Sequence, residues 1–372
     1  MSTPQLREDT ATQLLAADKQ VSQMTAFIGL DGFVDDILRV VDKRENAEKY
    51  SRIPTIARYA ERLGAAAGRS TNVELVSELT KLGGNGPIMA NALASFGLKV
   101  TYLGTLGYPN LHPVFAEFAR RAEVHSITEP GYTDALEFDD GKIMVGKHQA
   151  LKQMTWDNIK SRFGRDKFAA QLAGADLVGF VNWTMLPHMS DIWSAVLQEV
   201  CPGLNRSRRL LFIDLADPEK RTPRDLQHAL ELIAAFQKFF DVTLSLNEKE
   251  SYEIGAVLGL KSNGSAPADL KRLCEQIQQR LGVNTVVVHP TALALAAGPD
   301  GLCQVNGPFT PKPKITTGAG DHFNSGFCLG RLLGMPTRQC LLAGVATSGF
   351  YVRTAQSPGL ADLAGMLRNW PV

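Results

Sequence analysis

Ile315-Thr316-Thr317-Gly318-Ala319-Gly320-Asp321-His322-Phe323-Asn324-Ser325-Gly326-Phe327 is the stretch on which the reading turns. Small residues lead into a lone carboxylate, and an apolar series at helical spacing follows: Phe323, Phe327, Leu329, Leu332 and Leu333. Gly318-Ala319-Gly320 lets backbone N–H groups turn towards one point at a helix N-terminus, where geometry and dipole both favour an anion. Asp321 stands beside that anion hole, and a carboxylate gains nothing from a phosphate neighbour. A base next to a developing phosphoryl charge is what transfer of phosphate to an alcohol requires. A tight turn with an Asp cap accounts for the same run without any ligand, so a second motif has to decide.

That motif is Gly83-Gly84-Asn85-Gly86-Pro87, followed by the helix-like run from Ile88 to Phe96 and a closing Gly97. The glycines admit a ligand close to the backbone. Asn85 offers a donor and an acceptor, and Pro87 suits the first helical turn. Val100-Thr101-Tyr102-Leu103-Gly104 then reads as a buried strand. Two glycine loops, each opening a helix, fit one site at the carboxyl ends of parallel strands.

On these residues the chain resembles the ribokinase-like (PfkB-type) carbohydrate kinase family. Gly83-Gly84-Asn85 and Leu103-Gly104-Thr105-Leu106-Gly107 look like that family's first signature, and Thr316 to Phe327 looks like its second. The resemblance runs from about residue 26 to about residue 355. It implies a three-layer α/β/α sandwich with a mostly parallel central sheet and a small β lid. It also implies ATP and Mg2+ as cofactors, a sugar or sugar-like alcohol as acceptor, and Asp321 as the base, with Gly318, Ala319 and Gly320 holding the phosphoryl.

Alternation of strands and helices supports the parallel sheet independently. Strands are expected at Ala26–Leu30, Asp176–Val181, Leu210–Asp214, Val242–Leu246 and Thr285–His289, rich in Val, Leu and Phe. Two segments break the alternation. Residues 35–82 hold a polar stretch and a helix-like run near Ile56–Leu63. Residues 131–148 read as two short strands around Asp139-Asp140-Gly141, a type I′ hairpin signal. The expected organisation is an N-terminal helix and first strand (1–34), an insert contributing to the lid (35–82), core (83–130), lid strands (131–150) and core with the nucleotide and catalytic site (151–372). For residues 35–82 a longer lid, a homodimer contact through the lid, and a plain surface excursion are all open.

Further site candidates sit at other strand ends. Asp31 and Asp35 follow the first strand, and carboxylates suit vicinal hydroxyls. The resembling family has a sugar-contacting Asp there, and the spacing leaves both residues open. With Gly84 and Asn85 they form the expected sugar site. Asn247-Glu248-Lys249-Glu250 looks like the family's Asn-x-x-Glu motif, in which Asn247 and Glu250 order magnesium through water. A helix N-cap with an acidic first turn explains the same four residues. Thr317, with His289 and Thr291 after the strand Thr285–His289, is expected to face the nucleotide. Departures from the family pattern are Ile315 for Asp, Ile88 for Asn, and His289-Pro290-Thr291-Ala292 for a Thr-x-Gly turn.

Gly141-Lys142-Ile143-Met144-Val145-Gly146-Lys147-His148 nearly spells a phosphate-binding P-loop, but His148 stands where a magnesium-binding hydroxyl belongs. The segment alternates like a strand, and Lys147 is a candidate to face the sugar from the lid. Net charge is +1, from 39 basic and 38 acidic residues among 372, which gives no footprint for nucleic acid or an anionic membrane. Arg206-Ser207-Arg208-Arg209 is the tight basic cluster and reads as solvated. The five cysteines have no metal spacing and read as free thiols. Without an apolar leader or an 18-residue apolar run, a cytoplasmic location is expected. A nucleoside acceptor, or a sugar-binding regulator without catalysis, are the alternatives; a dinucleotide oxidoreductase lacks its G-x-G-x-x-G.

Overall fold

The computed structural model describes residues 3–204, 209–261 and 267–371. Of the basic cluster, Arg206 to Arg208 therefore lie outside the described residues. In chain order the strands are β1 (Thr25–Gly29), β2 (Phe33–Arg44), β3 (Tyr50–Arg52), β4 (Leu75–Gly83), β5 (Lys99–Gly104), β6 (Glu123–Ser126) and β7 (Gly131–Phe138). They continue as β8 (Gly141–Lys147), β9 (Leu177–Val181), β10 (Leu210–Asp214), β11 (Asp241–Leu246), β12 (Thr285–Val288), β13 (Leu293–Gly298) and β14 (Gly301–Asn306).

Nine of them form one sheet in the order β14-β13-β12-β11-β10-β9-β1-β5-β6. Pairing is parallel from β6 to β12 and turns antiparallel at β13 and β14. The five expected strands are all here, each within a residue or so of its bounds. Their side chains alternate between two cores, as a sheet buried on both faces demands. Leu211, Ile213 and Leu244 pack with the helices Met189–Ala195 and Pro223–Phe236, whereas Phe212 and Val287 pack with the helices Asn85–Ser95, Ala319–Leu332 and Thr337–Thr354. This is the expected three-layer sandwich.

The second sheet has the order β3-β2-β7-β8, with β4 paired to β2. Residues 35–82 thus contribute mainly strand: β2 is 12 residues long and runs antiparallel to β4 and parallel to β7. The helix Ile56–Gly64 lies against the β7–β8 hairpin, where Asp140 Oδ1 accepts from Ile56 N at 2.8 Å. The hairpin forms where expected, but its turn is not type I′. That turn needs positive φ at both central residues, and here Gly141 carries it rather than Asp139 or Asp140.

Candidate active site

Parallel strands end on one edge of the sheet, and the chemistry collects there. Asp31 follows β1, Asp214 ends β10, Asn247 follows β11 and His289 follows β12. The 14-residue helix Ala319–Leu332 points its N-terminus at this edge, with Gly318 as N-cap at φ 92°. Only glycine holds that left-handed conformation without cost. Gly84, at φ 93°, opens the helix Asn85–Ser95 in the same way.

Asp321, 6% exposed, lies in the first turn of its helix, and its Oδ1 accepts from Asn85 Nδ2 at 2.9 Å. The two sequence motifs therefore meet at the carboxylate. Burial, and then the charge of Asp214, push Asp321 well above the usual carboxylate range; the Asn85 amide pulls the other way.

Two cavities flank the Thr316–Gly320 loop. The lid-side cavity, about 270 Å3, is lined by Asp35, Gly84, Asn85, Thr317, Gly318 and Asp321 together with the lid residues Thr133, Met144 and His148. The other cavity, about 390 Å3, is lined by Asn247, His289, Thr291, Thr316, Ala319, Gly320 and the apolar Phe323 and Val345. A larger cavity of about 610 Å3 lies on the lid beside Arg58, Arg62 and Arg69 and shares no lining residue with either.

The sequence reading places Thr317 with the nucleotide candidates; the structure puts it in the lid-side cavity instead. Thr316 lines the other cavity, so the boundary between the two runs between these consecutive residues. Asp31 also departs from expectation. It is fully buried outside both cavities, and its oxygens accept from Asn85 N, Gly86 N, Asn182 Nδ2 and the Tyr102 hydroxyl at 2.7–3.3 Å. Burial lifts its pKa to about 6 against those four donors. Asp31 fixes the Gly84–Gly86 loop, which leaves Asp35 as the carboxylate that faces the cavity.

Asn247 and Glu250 form a capping box: Asn247 Oδ1 accepts from Glu250 N at 2.9 Å and Glu250 Oε2 from Asn247 N at 2.8 Å. Glu250 Oε1 accepts from Asp217 N at 2.8 Å. Helix capping is thus present, and Asn247 still lines the larger of the two flanking cavities. Burial, and then the charge of Asp214, raise Glu250 to about 7, while burial raises Asp214 to about 6. Mutually repelling buried carboxylates fit a divalent cation in this cleft. Asp217, Glu219 and Glu253 converge nearby, but the Lys249 ammonium sits among them at 2.5–3.6 Å.

Several site residues escape sequence reasoning. His322 Nδ1 donates to Gly318 O at 2.7 Å, its Nε2 meets Ser357 Oγ at 2.9 Å, and its ring stacks on Tyr351 at 3.6 Å. The Tyr351 hydroxyl donates to Thr317 O at 2.8 Å. Asn324 bridges Asp214 Oδ2 and the Ser245 hydroxyl at 2.8 Å each. Lys147 turns away from the cavity and pairs with Asp134 at 2.9 Å. Strand alternation explains this: Met144, Gly146 and His148 line the cavity, so the odd-numbered 147 faces out and Lys142 faces in.

Comparison with known proteins now decides the family. Residues 6–370 match the family described as prokaryotic ketohexokinase. The chain belongs to this family. It is a carbohydrate kinase of the ribokinase-like (PfkB-type) group. A ketohexokinase of Haloferax volcanii is 32% identical over 337 residues, which cover 90% of this chain and 88% of that one. Ribokinase of Arabidopsis thaliana, solved with ribose and ATP, superposes with a TM-score of 0.61 at 16% identity, covering 93% of this chain and 98% of that one. Phosphofructokinase-2 from Escherichia coli, solved with substrates and products, gives 0.63 at 15% identity, covering 94% and 99%. These two show the ribokinase fold. Among the described residues no helix is long and apolar enough to cross a membrane.

Proposed function

We propose that the protein transfers the γ-phosphoryl of ATP to a hydroxyl of a ketohexose. The observation that carries this reading is Asp321, held by Asn85 at a helix N-terminus between two cavities. The acceptor occupies the lid-side cavity, with Asp35, Asn85 and Gly84 on its hydroxyls. The nucleotide occupies the other, with His289 and Thr291 beside its base and Asn247 towards its phosphates. A hydroxyl proton passes to an Asp321 oxygen as the acceptor oxygen attacks the γ-phosphorus, and the bond to the ADP oxygen breaks. The N–H groups of Gly318 and Gly320 take up the charge on the transferring group, joined by that of Ala319 when it leaves Thr316 O, to which it donates at 3.1 Å.

Magnesium, when bound, neutralises phosphate oxygens; Asp214, Glu250 and Asn247 would hold it through its waters. The five-stranded second sheet acts as a lid over the acceptor. It exposes Leu75, Leu79 and Val145, which suits a homodimer through the lid. The ketohexose assignment follows the Haloferax volcanii relative. The test is a phosphorylation screen with MgATP against ketohexoses, aldoses and nucleosides, with products read by 31P NMR. A ketohexose phosphate as the main product supports the reading; a nucleotide product, or no turnover despite ATP binding, overturns it.

A further inference from the structure

Lys142 lies on β8, the last strand of the lid, and is part of the segment that mimics a P-loop. Its side chain leaves the inner face of the lid, in the row of Met144, Gly146 and His148. The ammonium reaches across the cleft to the Thr317 hydroxyl and lies 3.5 Å from Thr316 Oγ1. Those hydroxyls immediately precede Gly318, where the anion-binding helix begins. Lys81 joins it from β4: it pairs with Asp35 across the sheet, and burial lowers its pKa while Asp35 and Asp321 raise it.

This placement answers a charge problem. The cleft interior is carboxylate-rich, with Asp35, Asp214, Glu250 and Asp321 all buried. A helix N-terminus offers only about half a positive charge, whereas the transferring phosphoryl spreads negative charge over three oxygens. Among the described residues, Lys142 is the cation in hydrogen-bond contact with the Thr316–Gly320 loop. Its two partners there are neutral hydroxyls, which anionic oxygens outcompete because charge-assisted hydrogen bonds are stronger.

We propose that Lys142 is a catalytic residue supplied by the lid, its ammonium binding the oxygens of the transferring phosphoryl. This rests on the kinase reading above. Lys142 takes no proton: the acceptor proton still goes to Asp321, the acceptor oxygen–phosphorus bond forms, and the bond to ADP breaks. The lysine offsets charge in the transition state and leaves ground-state affinities nearly untouched.

Wild-type turnover of MgATP with a ketohexose is measured first, and its absence overturns the kinase reading and this inference together. With turnover established, K142M should lower kcat about 10²–10³-fold, the size of a lost transition-state donor, with KM for ATP and sugar changed less than about threefold. K142R should recover part of the loss. K142A should regain rate, saturably, on addition of methylamine or ethylamine, which a packing defect does not show. ADP affinity by calorimetry checks that each variant is folded. A K142M kcat within about twofold of wild type, or a loss confined to KM for the sugar, overturns the role of Lys142 and leaves the kinase reading intact.

Discussion

Asn85 Nδ2 and Asp321 Oδ1 are 2.9 Å apart although 236 residues separate them in the chain. The bond joins the N-terminal turns of two helices that pack on the same face of the large sheet. It also bears on the charge state of the proposed base, pulling against burial and the charge of Asp214. Burial favours the protonated acid, and the amide donor favours the carboxylate.

Removing that donor should therefore raise the Asp321 pKa further. A base works ionised, so activity is lost as pH falls through its pKa. In Asn85→Ala the ascending limb of kcat/KM for the acceptor, at saturating MgATP, should move to higher pH. The wild-type to variant ratio should be larger at pH 6 than at pH 9. A ratio independent of pH would show that Asn85 acts on the acceptor alone.

Asp35→Ala should separate the two cavities. Loss of a hydrogen bond to a buried charged partner costs about 1–3 kcal/mol, which corresponds to about 5- to 150-fold in acceptor affinity. Titration calorimetry should show that loss for the sugar and an unchanged ATP affinity. Loss of ATP affinity instead would reverse the assignment of the cavities.

His322 braces the loop, and burial holds its pKa at about 4 against an unfolded value near 6.5. The unfolded chain therefore binds a proton between pH 6.5 and 4 that the folded protein refuses, so the stability from this residue falls as pH drops through that window. At pH 5 the loss is about 2 kcal/mol, from 1.36 kcal/mol per unit. His322→Gln should be less stable than wild type at pH 7.5, and the gap should narrow by pH 5. Denaturant titrations at the two pH values measure it; a constant gap would place the His322 ring in contact with solvent protons.

The sequence made the sheet legible because β9 to β12 are runs of Val, Leu and Phe bounded by turns. The second signature was legible because Gly318 and Asp321 do local work, a turn and a first helical turn. β13 was not, since Leu293-Ala294-Leu295-Ala296-Ala297-Gly298 has little β preference of its own and is a strand only by pairing with β12 and β14. β2 hid behind its charges, which sit on a strand covered by β4 and β7. Asp31 and Asp35 were indistinguishable until the fold buried the first among four donors. The Ser357–His322 contact and the reach of Lys142 to Thr317 join residues 35 and 175 positions apart, and no local pattern encodes them.

The central claim is that Asp321 accepts the acceptor's proton, and Asp321→Asn tests it most directly. The amide keeps the size and most hydrogen bonding of the carboxylate but takes no proton at neutral pH. Turnover of the ketohexose at saturating MgATP should fall about 10²–10⁴-fold, the usual contribution of a general base, while calorimetric affinities for ATP and sugar stay within about threefold. An Asp321→Asn variant with near-normal turnover would contradict the account and remove this carboxylate from the chemistry.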